Sequence, residues 1–184
     1  MKVVVKYGTD SDARIDLLAD SSILSGGRPL FVPDWAQAFV GTLAVTARVG
    51  RLGKCIVPRF AHRYWDGASA CLLTHGVDAD GNRIDRGALS RAHDGALMLG
   101  EMRPKEALMA GATVTCVAGG TTVNAALDHM AQAIDALVCQ VSQHMTLKMG
   151  DMLCIALPDT VSLGLDMAVE LSCCGTTVLK TKIK

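Results

Sequence analysis

The chain has no apolar run approaching the roughly 18 residues of a membrane-spanning helix. It also has no surplus of either charge. Lys plus Arg and Asp plus Glu both number 18, and the formal net charge is zero. That leaves no field to gather nucleic acid or an anionic membrane, so neither is expected as a partner. The stretch Met1-Lys2-Val3-Val4-Val5-Lys6 is too short and too soon charged for a secretory signal, and a cytoplasmic location is expected. The seven cysteines contain no C-x-x-C pair. Cys71 and His75 stand four apart without a second ligand pair, which argues against zinc. Most of the cysteines lie in apolar runs and read as small buried hydrophobes in a reducing compartment. The vicinal Cys173-Cys174 beside Gly175 reads as a turn rather than a redox pair. A serine nucleophile elbow, a P-loop and a dinucleotide fingerprint are all missing.

What is present is length and apolar content. The 184 residues fit one domain spanning 1–184. The apolar fraction is 50% and mean hydropathy is +0.31, which is rich for a monomer. The surplus is read as a buried subunit interface, so a homodimer is expected. Strands are predicted at Lys2–Tyr7, Leu30–Val32, Thr42–Val49, Ala68–Thr74, Thr113–Val117 and Met152–Ala156. A final hairpin is predicted from Met167–Ser172 and Thr176–Ile183, turning at Gly175. Lys180, Lys182 and Lys184 read as protection of an edge strand rather than as a phosphate site. Pro58 suits the first turn of a helix that sends Phe60, Tyr64 and Trp65 to the core. Met130, Ile134, Leu137, Val138, Val141 and Met145 recur at helical spacing, which predicts a helix from about Asn124 to Gln143 with Asn124 as N-cap. The helices do not alternate with strands, so the pattern gives an α+β, mostly β domain rather than a doubly wound sheet.

Several segments then take on meaning in order. They are Val40-Gly41-Thr42-Leu43-Ala44-Val45, Gly53-Lys54, Arg59-Phe60-Ala61-His62-Arg63-Tyr64-Trp65-Asp66, and Met145-Thr146-Leu147-Lys148-Met149-Gly150-Asp151. Together they resemble the fumarylacetoacetate hydrolase family over roughly 21–184. The resemblance implies that family's mixed β-roll with a few helices. It also implies a site in which three carboxylates hold a divalent cation that polarises a 1,3-diketo or 2-oxo acid.

The residues at those positions do not match that chemistry. The family's Glu-x-Glu strand motif, whose period of two aims both carboxylates at one ion, falls on Val40 and Thr42. The resemblance places the third carboxylate at Leu72. The early histidine that activates water is missing after Lys6-Tyr7-Gly8-Thr9-Asp10. The family lysine is replaced by Arg91, which keeps positive charge without the compact ammonium. The Gly-Thr-Pro turn survives only as Ala156-Leu157-Pro158. Metal, base and substrate positions have changed together while turn and core residues persist. The expectation is therefore a non-catalytic, divergent member: a pseudoenzyme whose pocket is lined by Val40, Thr42 and Leu72, with Arg91 as an anion contact. It would bind a small molecule or a partner, with no metal or cofactor, and Mg or Mn only if the family activity persists. One alternative is a metal-dependent C–C hydrolase, decarboxylase or isomerase with ligands relocated to Asp78, Asp80, Asp85 and Glu101. Another is a structural or interaction protein. His62 is expected to be partly buried, and His93-Asp94 to form a surface turn.

Overall fold

The computed structural model describes residues 1–108 and 112–184. Strands hold 46% of the chain and helices 17%, so the protein is α+β and mostly β. The strands are β1 (Val3–Tyr7), β2 (Ile15–Leu18), β3 (Ile23–Leu24), β4 (Ala38–Val49), β5 (Trp65–Val77), β6 (Leu97–Leu99) and β7 (Arg103–Pro104). They continue with β8 (Thr113–Ala118), β9 (Thr121–Ala126), β10 (Met152–Leu163), β11 (Ala168–Cys173) and β12 (Thr176–Lys182). One α-helix, α1 (Met130–His144), joins the two halves. The larger sheet runs β2-β1-β10-β4-β5-β6-β3, with β7 paired to β5, and curls into a half-barrel. The smaller sheet runs β12-β11-β8-β9.

The long central strands β4 and β5 are antiparallel and alternate between two faces, with one register shift between Arg48 and Val49. Leu43, Val45, Ala47 and Val49 of β4 and Ala68, Ala70 and Leu72 of β5 face one way. There they form one core with Ile134, Leu137 and Val138 of α1 and with Val114, Leu171 and Leu179 of the smaller sheet. Ala44, Cys71 and Leu73 face the other way. They close a second cluster with Val3, Val5, Leu97 and Cys154 on the inner face of the half-barrel. Cys71 and Cys154 are hydrogen-bonded across β4, Sγ to Sγ at 3.7 Å, and remain thiols.

The register matters for the site. Thr42 stands opposite Leu73, and Leu43 opposite Leu72. Leu72 is fully buried in the main core and turned away from the Thr42 face. Its expected place in the pocket is thereby corrected: a one-residue offset on a strand moves a side chain to the opposite face.

Other departures from the sequence reading are local. The helix begins at Met130, and Asn124 lies in β9 as part of a hairpin turned by Gly119 and Gly120. The N-cap is His129, in left-handed backbone with φ 59°. The apolar stripe located the helix body correctly, whereas residues 121–126 pair with β8 because that pairing satisfies their backbone groups. The Pro58 element is a 3-10 turn, Pro58–Arg63, that buries Ala61. Phe60 is held between the guanidinium groups of Arg59 and Arg63 at 4.5 and 4.8 Å, and His62 is exposed. Leu30–Val32 makes only a single bridge, Leu30 to Ile183.

The retained scaffold residues have steric and electrostatic reasons. A Cβ on Gly53 would lie 2.3 Å from the Tyr64 ring, so that turn closes only with glycine. Gly150 has φ 85°, which hands the chain to Asp151. Asp151 is 1% exposed. It accepts from the backbone N–H of Lys2 and Lys148, both at 2.8 Å, and pairs with the Lys2 ammonium. Burial opposes its ionisation, but these donors outweigh burial and hold its carboxyl below the ordinary value.

Two outcomes follow from these contacts. A depressed carboxyl contributes stability above the unfolded value of about 3.9 and loses it as pH falls through the folded one. Asp151→Asn should therefore cost about 2–3 kcal/mol at pH 7, with the gap from the natural chain narrowing below about pH 4, as read by urea denaturation. Leu72→Asp should unfold the protein at neutral pH, because it places an unpaired charge in the core. Leu73→Asp, beside a cavity, should stay folded, and circular dichroism with thermal melting separates the two.

Candidate functional site

The inner face of the half-barrel ends in a cavity of about 500 Å³. Several parts of the chain build its wall, Leu18 of β2 and Ala96 among them. β4 supplies Thr42, β5 supplies Leu73 to His75, and the turn after β1 supplies Tyr7 to Asp10. Arg83 and Arg91 come from the segment after β5, and β10 supplies Ala156 to Pro158. Pairing between β10 and β4 slips between Ala156 and Thr160. Pro158 has no N–H to give the ladder, so the strand bulges there and opens the wall.

Of the site residues expected from the sequence, Thr42 and Arg91 line this cavity. Val40 shares the face of Thr42, two residues away, and pairs with His75, but stays outside the lining. Leu72 lies on the opposite face, and the apolar residue that meets Thr42 is Leu73. Sequence reasoning missed Arg83 and His75. It had matched Tyr7 and Pro158 to family motifs, and both line the wall.

The charge in the cavity is cationic. Arg91 Nη1 lies 2.9 Å from Asp16 Oδ2, and its guanidinium stands 5.1 Å from the Tyr7 ring centre. The other Asp16 oxygen accepts from Arg14 Nε at 2.9 Å. Arg83 has no carboxylate partner among the described residues. Burial pushes the Tyr7 phenol up despite Arg91, so it stays a neutral donor. Burial, aided by Arg83 and Arg91, pushes His75 down, while its Nε2–H donates to the Ile84 carbonyl at 3.2 Å. At neutral pH the imidazole is therefore uncharged, and the positive charge of the site rests on the two arginines.

A hard divalent cation needs several carboxylate or carbonyl oxygens around it. The Thr42 hydroxyl is a weak neutral ligand, and Val40, Leu72 and Leu73 offer none. Asp10 is exposed at the cavity edge, and Asp16 is held by two arginines. Asp78, Asp80, Asp85 and Glu101 do not line the cavity. The Asp78 carboxylate instead accepts from the N–H of Asp80 and Asn82, at 3.0 and 2.8 Å, in an exposed turn. Hydrogen bonding from Asn82 pulls it below its ordinary value. Among the described residues, no group of three His, Cys, Asp or Glu side chains is placed to hold a metal ion. The residues present do not fit the family's cation.

No protein-family profile matches this chain, and no curated protein sequence does. Solved structures do. A 5-carboxymethyl-2-hydroxymuconate delta-isomerase from Mycobacterium smegmatis is similar with TM-score 0.83 at 18% identity, covering 99% of this chain and 78% of that one. A fumarylacetoacetate hydrolase from Exiguobacterium antarcticum is similar with TM-score 0.80 at 18% identity, covering 100% and 74%. A fumarylpyruvate hydrolase from Pseudomonas aeruginosa, in complex with Mn²⁺ and pyruvate, is similar with TM-score 0.79 at 11% identity, covering 100% and 90%. With the half-barrel, the register of β4 on β5 and the end cavity in place, the chain has the fold of the fumarylacetoacetate hydrolase family.

Proposed function

We propose that this protein binds a small carboxylate-bearing molecule in the end cavity without a metal ion, and no longer carries out the chemistry associated with its fold. One observation carries the proposal: among the described residues, the cavity presents Arg83 and Arg91 and no cluster of carboxylates. A guanidinium offers a planar fork of N–H donors that matches a carboxylate. Arg83 has no carboxylate partner among the described residues, so it is the cation with the most to gain from an anion. Arg91, steered by Asp16, and the neutral Tyr7 hydroxyl would orient the ligand. The apolar residues Leu18, Leu73 and Leu157 would cover its body.

Pyruvate is the simplest probe, since the structurally similar Pseudomonas aeruginosa hydrolase is complexed with it. Isothermal titration should show pyruvate binding that EDTA leaves unchanged. Arg83→Ala should weaken it by about tenfold or more, the size of a lost charged hydrogen bond. Affinity should change little between pH 7 and 8. It should rise as pH falls through the lowered value of His75, where a third positive charge appears. Binding that requires Mn²⁺, or divalent-dependent turnover of an acylpyruvate, would establish the enzymatic reading instead.

The homodimer belongs to the same proposal. Leu52 and Met149, 64% and 74% exposed, lie close together, because Gly53 pairs with Leu147 through two backbone hydrogen bonds. Light scattering should give twice the 19.4 kDa chain mass. Leu52→Asp should shift it towards one chain, and an unchanged monomeric mass for the natural protein would overturn the dimer.

A further inference from the structure

The end cavity changes in polarity from its mouth to its floor. Thr9, Asp10, Arg83, Pro158 and Thr160 line it and are exposed. Leu18, Leu73, Ala96, Ala156 and Leu157 also line it, and all five are buried. Leu18, Leu73 and Ala156 belong to the apolar cluster of the inner face, together with Val3, Val5 and Leu97. The floor is therefore the open end of that inner core, laid down by the alternation of β5 and β10. Polar groups gather where the cavity meets water, and hydrocarbon lies below them.

The cations at the mouth are not equivalent. Arg91 Nη1 lies 2.9 Å from Asp16 Oδ2, so its charge is already answered in large part. Arg83 has no carboxylate partner among the described residues. Among those residues, one guanidinium of the lining is thus left for one carboxylate of a ligand. A second carboxylate would have two places to go, and both are unfavourable. On the floor it would be an unpaired charge among leucines. Turned back to the mouth, it would share the rim with the like charge of Asp10.

Size points the same way. A cavity of about 150 Å³ accepts benzene, and this one holds about 500 Å³. Pyruvate is smaller than benzene and leaves most of the floor uncovered. Each methylene that covers apolar surface there should tighten binding about fourfold.

We infer, given a carboxylate held in this cavity, that the ligand is an amphipathic monocarboxylic acid with a hydrocarbon body of about six carbons or more. Its carboxylate meets Arg83, with Arg91 beside it, and its body lies over Leu18, Leu73 and Ala156. Short oxo acids and dicarboxylic acids are the weaker ligands.

Isothermal titration of the whole protein with butyrate, hexanoate and adipate, in EDTA and in competition with pyruvate, provides the test. All three should displace pyruvate, which puts them in the same cavity. Hexanoate should bind about tenfold more tightly than butyrate, the value of two buried methylenes. Adipate, which adds a second carboxylate to the hexanoate skeleton, should bind at least about tenfold more weakly than hexanoate. Leu73→Asn places an amide on the floor and should cut the gain from butyrate to hexanoate to about threefold or less. If that variant does not fold, the three acids on the natural chain decide. Arg83→Ala should weaken butyrate and hexanoate alike, which separates the head of the ligand from its body. Pyruvate binding with no gain from butyrate to hexanoate, adipate as tight as hexanoate, or a gain untouched by Leu73→Asn would overturn this inference and leave the carboxylate reading standing. Failure of every acid to bind, or affinities that Arg83→Ala leaves unchanged, would overturn both.

Discussion

Successive side chains of β4, β5 and β10 point to opposite faces of one sheet, and the rest of the structure hangs on that alternation. One face must be sealed by α1 and the smaller sheet, so it is occupied by Leu43, Val45, Leu72, Leu153 and Ile155. The other lies inside the half-barrel, where small residues such as Ala44, Cys71, Cys154 and Ala156 leave room. The cavity forms where that inner packing stops, at the β10 bulge. At the other end of the sheet, Asp151 ties the chain's start to the turn before β10 through Lys2 and Lys148.

Within this frame the electrostatics of the cavity are inverted relative to a hard-cation site. Such a site gathers carboxylates, and a bound cation then supplies the positive charge. Here guanidinium groups supply it directly, and the half-buried carboxylate of Asp16 nearby serves to hold Arg91. Burial keeps Tyr7 and His75 neutral by the same physical cause acting on an acid and a base. The result is a polar cavity whose fixed charge comes from arginine and does not depend on pH in the neutral range.

Much of the frame was legible from residues with a single structural solution. Gly53 must be glycine because Tyr64 fills the space of a Cβ. Gly150 adopts positive φ, and the apolar stripe from Met130 to Val141 can only be one face of a helix. The errors arose where local pattern does not decide. Asn124 looked like a cap but pairs with Thr115 across a hairpin. Leu72 and Leu73 are adjacent leucines whose faces depend on pairing with β4. Arg83 sits in a segment of Asp, Gly and Arg whose composition says only that it is a loop. His93 takes its environment from Phe39, Trp35 and Thr74, all distant in sequence.

The sequence by itself determined the class of fold, the glycine turns and the helix stripe. Those are properties of single residues or of short periods along the chain, set by sterics and by hydrophobic spacing. The tertiary structure alone decided that Leu73 rather than Leu72 meets Thr42, that Arg83 joins Arg91, and that the His93 ring stacks on Phe39. Each of these depends on the register of one strand against another or on contacts across dozens of residues. Such contacts are fixed by the packing of the whole sheet, and no local period encodes them.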